Sequence, residues 1–166
     1  ALKKALCVSA DLRCIEAFDI AHLQGTETVA SKVCFVDGRP HKEGYRRFKI
    51  KTATNDDYMA MREVISRRYR AAGDGLELYP DLIVIDGGKG QLNAAMEGLS
   101  VLDKKPPLVI SLAKKEELIY LTTQKEPIKL GRNNLGLKLM QAIRDESHRF
   151  AQHYHHLLRK KRVLGD

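Results

Sequence analysis

Pro80-Asp81-Leu82-Ile83-Val84-Ile85-Asp86-Gly87-Gly88-Lys89-Gly90-Gln91 is the stretch on which the fold turns. Leu82 to Ile85 is a short, unbroken aliphatic run, and such a run suits a central strand covered on both faces. Pro80 stands just before it. Gly87-Gly88 turns the chain into a helix expected from Gln91 to about Leu102, and a second apolar strand, Leu108–Leu112, follows.

Toward the N-terminus the pattern is different. Cys14 to Ile20 is a strand apolar except at Glu16 and Asp19, and Gly25 and Thr26 break it. Val29 to Val36 is β-branched and apolar, Asp37-Gly38 is a hairpin turn, and Tyr45 to Lys51 alternates Phe48 and Ile50 with cations. Three strands with no room for crossover helices form an antiparallel meander. Thr54 or Asn55 then caps a helix that opens with Asp56 and Asp57, repeats Tyr58, Met61, Ile65 and Tyr69, and ends at Gly73 and Gly75. Beyond Leu112, a hairpin pairs Leu118–Leu121 with Pro127–Leu130, and a long helix runs from about Leu135 into a basic tail. The expected fold is α/β and occupies one domain over residues 1–166. Its mixed sheet has three antiparallel strands, then parallel strands, with flanking helices. The strand after the first long helix can return beside the first strand through a right-handed crossover. That arrangement resembles the ribonuclease H fold.

Composition narrows the function. No apolar run approaches the roughly 20 residues of a membrane span, and Ala1 to Cys14 lacks the features of a signal peptide. A chain that starts at Ala1 rather than Met is expected to be a piece of a longer one. Cys7, Cys14 and Cys34 are odd in number with no CxxC pair, which argues against a disulfide framework or zinc site and for a reducing cytoplasm. The net charge of +8 favours a polyanionic partner, and the cations bunch. Arg46, Arg47, Lys49 and Lys51 form one group, Arg62, Arg67, Arg68 and Arg70 another, and Arg159, Lys160, Lys161 and Arg162 a third.

Two aspartates, Asp19 and Asp86, end apolar strands. Ligands gather beyond the carboxyl ends of parallel strands, and neighbouring strands lie about 4.8 Å apart. Two carboxylates at that spacing repel each other unless a cation joins them. His148 is a third candidate. It lies well away from the middle of a helical stripe formed by Leu135, Leu139, Ile143, Phe150 and Leu157, so a core role is disfavoured. Asp145, one turn earlier, is placed to orient its ring. His153, His155 and His156 do not share one face and face solvent or nucleic acid. The glycine-rich turn lacks the P-loop and dinucleotide patterns. Its glycines leave room for a phosphodiester beside Asp86, with Lys89 to hold it.

Phe18-Asp19-Ile20-Ala21-His22-Leu23-Gln24-Gly25, Tyr45-Arg46-Arg47-Phe48, Asp56-Asp57-Tyr58, Asp86-Gly87-Gly88-Lys89-Gly90-Gln91 and Arg144-Asp145-Glu146-Ser147-His148 resemble, in order, the motifs of the UvrC family's C-terminal endonuclease domain. Ala21 replaces the usual Ser, and Asn55 stands where Gly often precedes the acidic pair. The resemblance implies a ribonuclease H-like nuclease that makes the 5′ incision beside a lesion in nucleotide excision repair. It implies Asp19 and Asp86 as catalytic metal ligands for Mg²⁺ or Mn²⁺, His148 as a catalytic residue that either ligates a metal or moves a proton, and Asp57 as a further catalytic acid. Double-stranded DNA is the implied substrate, and the cations read above from the charge clusters, the glycine turn and the last helix, Lys89, Arg46, Arg47, Arg144, Arg149, Arg159 and Lys160, are the expected contacts. UvrB is the implied partner of the parent protein, whose other modules lie outside this sequence. The domain is expected to cut or bind poorly without them. Three rivals make different predictions: a related Argonaute-type nuclease, a non-catalytic DNA-binding module and a nucleotide-binding protein.

Overall fold

The strand β5 (Leu82–Asp86) lies inside the sheet, parallel to β1 (Cys14–His22) on one side and to β6 (Leu108–Leu112) on the other. The computed structural model describes residues 2–6, 11–22, 27–52, 56–70, 80–103 and 105–163. Among these, the remaining strands are β2 (Thr28–Val36), β3 (Arg39–Pro40), β4 (Arg46–Lys49) and β7 (Ile119–Leu121). The order across the sheet is β3-β2-β1-β5-β6-β7, with β4 also paired to β2. The strands β1, β2 and β4 form the expected antiparallel meander, and the parallel strands follow, a ribonuclease H-like mixed sheet.

Strand alternation gives the sheet two buried faces. Ile15, Ala17, Leu82, Val84, Ile110 and Leu112 pack against the helix α4 (Leu135–Val163) and a one-turn helix α1 (Leu2–Ala5). Phe18, Ile83, Ile85 and Val109 pack against α2 (Asp57–Arg70) and α3 (Lys89–Ser100). Asp81 fastens the start of this arrangement. Its carboxylate accepts from the backbone N–H groups of Arg13 and Cys14, and its own N–H donates to the Cys14 carbonyl.

Several expectations are corrected. Asp37 and Gly38 both have positive φ, 51° and 80°, as a two-residue hairpin turn requires, but the strand after them is interrupted. It begins at Arg39–Pro40, breaks at a 3₁₀ turn over Lys42–Gly44 and resumes at Arg46. Pro40 has no N–H for a ladder, and Gly44 presses so close to Cys34 that a Cβ there would lie 2.8 Å from the Cys34 Cβ. Asp56 begins the first long helix, its carboxylate accepting from the Tyr58 N–H at 2.9 Å. Thr54, Asn55, Gly25, Thr26, Gly73 and Gly75 lie outside the described residues. Tyr58 is 54% exposed, and the buried stripe of α2 is Ala60, Met61, Val64, Ile65, Arg68 and Tyr69. The second arm of the late hairpin is reduced to a single bridge, Ile119 to Ile128.

The second basic group is not an open patch. Arg68 is buried, and with the Tyr69 hydroxyl and Lys32 it surrounds the buried carboxylate of Glu16 at 2.9, 2.6 and 3.4 Å. Arg67 pairs with Glu63 and donates to the Lys49 carbonyl, and Arg62 pairs with Glu97. Removing one partner of the buried Glu16 cluster leaves an uncompensated charge, so Arg68 serves the core, whereas Arg62 and Arg70 stay exposed. Among the described residues no helix is long and apolar enough to cross a membrane.

The helices α2 and α3 touch at backbone level. A Cβ on Gly98 would lie 2.7 Å from the Arg62 carbonyl oxygen and 3.2 Å from the Ile65 Cβ. Gly98→Ala gains about 1 kcal/mol of helix propensity, against about 1–3 kcal/mol for overpacking. The backbone contact puts the overpacking cost at the upper end, so the variant is expected to lose about 1–2 kcal/mol net. Denaturant unfolding reads this as a lower midpoint at constant slope; an unchanged midpoint would show that the two helices separate freely.

Candidate active site

The register of β1 against β5 sets Phe18 beside Ile85, so Asp19 and Asp86 follow as neighbours at the carboxyl ends of parallel strands. Alternation turns both side chains to the α4 face, the side of Ile15, Ala17, Leu82 and Val84. From α4, His148 reaches in, its Nε2 2.9 Å from Asp86 Oδ2 and 3.7 Å from Asp19 Oδ2. One ligand atom from each of the three lies within 4.8 Å of the others. Asp86 Oδ1 is buried without a hydrogen-bond partner. Two hard carboxylate oxygens, one imidazole nitrogen and an unused buried lone pair suit a small divalent cation.

Electrostatics supports that fit. Burial, and then the charge of Asp86, raise the Asp19 carboxyl from its ordinary value near 3.8 up to about 6, partly opposed by His148 and Lys114. Two like charges are held together at a cost that a cation would offset.

The helix α4 meets the sheet on a different stripe from the one its sequence suggests. Leu137, Met140, Ile143, Ser147 and Ala151 are buried, whereas Leu135 and Leu157 are 67% and 46% exposed. His148 therefore stands about 80° from the buried stripe's centre, at the margin of the core rather than behind it. Ties on either side of it hold the helix. The Tyr45 hydroxyl donates to Glu146 at 2.6 Å, and the Arg47 guanidinium lies 3.8 Å above the Phe150 ring. Glu117 accepts from Gln141 at 2.6 Å and from Arg144 at 3.1 Å. Asp145 is exposed and, among the described contacts, does not bond the His148 ring.

Asp57 arrives from the other face of the sheet. It lines a cleft of about 330 Å³ together with Asp86, Gly87, Gly88, Gln91 and Lys114. It stands apart from the three converging groups, bonded to His22 Nε2, whose Nδ1 lies 3.0 Å from Thr28 Oγ1. In the glycine turn, Gly87 has φ 138°, and a Cβ on Gly90 would strike the Tyr58 hydroxyl. Above Gly88 there is open space.

The proposed polyanion contacts divide. Lys89 and Lys160 are exposed, and Lys89 lines a groove beside the cleft with Lys125 rather than the cleft itself. Arg46 is exposed and donates to the Glu43 and Tyr45 carbonyls. Arg47, Arg144 and Arg149 are engaged by Phe150, Glu117 and Glu146. The side chains of Arg159 and His155 lie outside the described residues, and His153 and His156 are exposed. Sequence reasoning assigned no role to His22, Gln91, Lys114 or Glu117. The signal for Lys114 was available: it sits two residues past the end of a parallel strand, where site residues collect.

The family model for the UvrC RNase H endonuclease domain matches residues 3–152. UvrABC system protein C of Carboxydothermus hydrogenoformans is 49% identical over 98% of this chain and 28% of that protein. The Methanococcus maripaludis protein of the same name is 49% identical over 98% of this chain and 31% of that protein. The chain thus spans under a third of the length of these relatives. A structure of Ciona intestinalis endonuclease V, in complex with inosine-containing DNA, is similar at TM-score 0.44 and 11% identity. That match covers 62% of this chain and 46% of the other, too distant a likeness to bear on function. The chain belongs to the UvrC RNase H endonuclease domain family.

The raised Asp19 carboxyl makes stability depend on pH. Below about pH 4 it is protonated folded and unfolded; between about 4 and 6 only the folded protein keeps the proton, so stability falls as pH rises through that window. A shift of about two units corresponds to roughly 3 kcal/mol, little reduced by solvent because the side chain is 15% exposed. Metal-free Asp19→Asn is therefore expected to melt several degrees above the unsubstituted protein at pH 7.5, with the gap closing at pH 4. Equal melting temperatures at pH 7.5 would show that the carboxylates do not strain the fold.

Proposed function

We propose that this UvrC-family domain is a divalent-metal-dependent DNA endonuclease that hydrolyses a phosphodiester. In its parent protein it makes the 5′ incision beside a lesion in nucleotide excision repair. The observation that carries the reading is the convergence of Asp19, Asp86 and His148 with one Asp86 oxygen left unpaired.

Asp19 Oδ2, Asp86 and His148 Nε2 would hold the ion, and the donor set suits Mg²⁺ or Mn²⁺. When bound, such an ion supplies positive charge at the scissile phosphate and a water acidic enough to attack it near neutral pH. The chain's own groups provide the rest. The open space above Gly88 lets a phosphodiester approach Asp86. Asp57, fixed by His22, lines the cleft as a further acid able to orient an entering water. Lys89, Arg46 and Lys160 present exposed charge to double-stranded DNA, Arg159 is proposed as a further contact from its place in the basic tail of the sequence, and Arg47, Arg144 and Arg149 first hold the helix. The parent protein is the partner of UvrB. The free, buried Cys14 and Cys34 suit a reducing cytoplasm, and residues 1–166 act as one domain.

Asp19→Asn and Asp86→Asn are each expected to slow incision of duplex DNA in Mn²⁺ by about 10³-fold or more, the equivalent of several kcal/mol. Affinity for the same DNA should stay level or rise, since repulsion of the phosphates falls. Incision by either variant at the unsubstituted rate sinks the nuclease reading. Calorimetric titration with Mn²⁺ gives a second measure, with binding expected to weaken in both variants and in His148→Ala.

A further inference from the structure

The acidic cleft holds a cation that the proposed chemistry has not used. Among the described residues lining the cleft, Lys114 is the one that carries positive charge. It follows β6 at the carboxyl edge of the sheet, as Asp86 ends β5. Its side chain is exposed, and among the described residues no hydrogen bond or ion pair within 4 Å holds its ammonium. The arginines nearby differ: Arg47, Arg144 and Arg149 are all engaged.

The loop that presents Lys114 is held in an unusual shape. Glu116 and Glu117 both have left-handed backbones, φ 62° and 52°, a conformation that L side chains rarely adopt. The Ala113 N–H closes the loop on the Leu118 carbonyl, and Glu117 ties it to Gln141 and Arg144, two turns and one turn of α4 before His148. Local strain maintained by surrounding contacts is characteristic of functional sites. Across the cleft, Gln91 Oε1 is buried without a partner.

We propose that Lys114 is a catalytic residue whose ammonium donates hydrogen bonds to a non-bridging oxygen of the scissile phosphate. This rests on the nuclease reading above. A phosphate entering among Asp19, Asp57 and Asp86 meets carboxylates, and its non-bridging oxygens gain charge as water adds to phosphorus. An ammonium carried at the rim by this loop lies within reach of that charge and can stabilise it as it develops. Its charge already reaches Asp19, pulling that carboxyl down against the upward push of burial.

The test compares Lys114→Met and Lys114→Arg with the unsubstituted protein on one nicked DNA duplex. Single-turnover cleavage in Mn²⁺ should fall about 10²-fold or more for Lys114→Met and recover at least tenfold of that in Lys114→Arg. In Ca²⁺, without cleavage, anisotropy should show weaker DNA binding by Lys114→Met and a salt slope smaller by about one. Lys114→Arg, which keeps the charge, should match the unsubstituted protein in Mn²⁺ affinity and melting temperature, and Mn²⁺ affinity should not fall in Lys114→Met, because a positive charge near Asp19 is removed. Lys114→Met that cuts and binds like the unsubstituted protein overturns the inference alone, leaving the carboxylate site standing. Cleavage that survives Asp19→Asn, or an unsubstituted protein that neither cuts nor binds DNA, overturns the nuclease reading and the role of Lys114 with it.

Discussion

The parallel pairing of β1 with β5 is the constraint on which the site depends. It sets Phe18 beside Ile85, and the next residue on each strand is an aspartate. The pairing is secured away from the site, by Asp81 at the start of both strands and by Phe18, Ile83 and Ile85 in the core. Hydrophobic burial and backbone hydrogen bonds hold the two acids where their own repulsion would part them. The strain shows in Asp19, which retains its proton to higher pH than an exposed carboxyl would. Such local destabilisation is common where preorganisation matters more than stability.

The site is also assembled from both faces of the sheet. Asp19, Asp86 and His148 belong to the α4 side, whereas His22 and Asp57 come from the α2 side and reach the cleft over the strand ends. On each side of the sheet a histidine is bonded to a carboxylate, His148 to Asp86 and His22 of β1 to Asp57. Only the carboxyl edge of the sheet is open to both layers, so chemistry that needs both has one place to occur.

Much of this was legible in the sequence because it follows from periods and strand ends. Leu82–Ile85 reads as a doubly covered strand, and the two aspartates fall where parallel strands deliver their side chains. The face of α4 was not legible. Leu135 and Leu157 carry as much hydrophobic signal as any core residue, yet they remain exposed, while Ser147 is buried. Helical periodicity weighs residue type, but which stripe docks is decided by tertiary partners such as Glu117, Tyr45 and Arg47. The same limit applies to the cations. Arg68 and Lys49 are indistinguishable in a charge count, but one is sealed in the core against Glu16 and the other is exposed. Lys114 was hidden by its company, since Lys115, Glu116 and Glu117 make it look like a solvated turn.

The glycine contact between α2 and α3 bears on how the cleft can move. Asp57 opens one of these helices and the Gly87-Gly88 turn leads into the other, so the cleft wall they form is braced by main chain against main chain. The opposing wall is the loop after β6, which Glu117 joins to α4 through side-chain bonds to Gln141 and Arg144. The two walls thus differ in build: one rests on main chain against main chain, the other on side-chain hydrogen bonds.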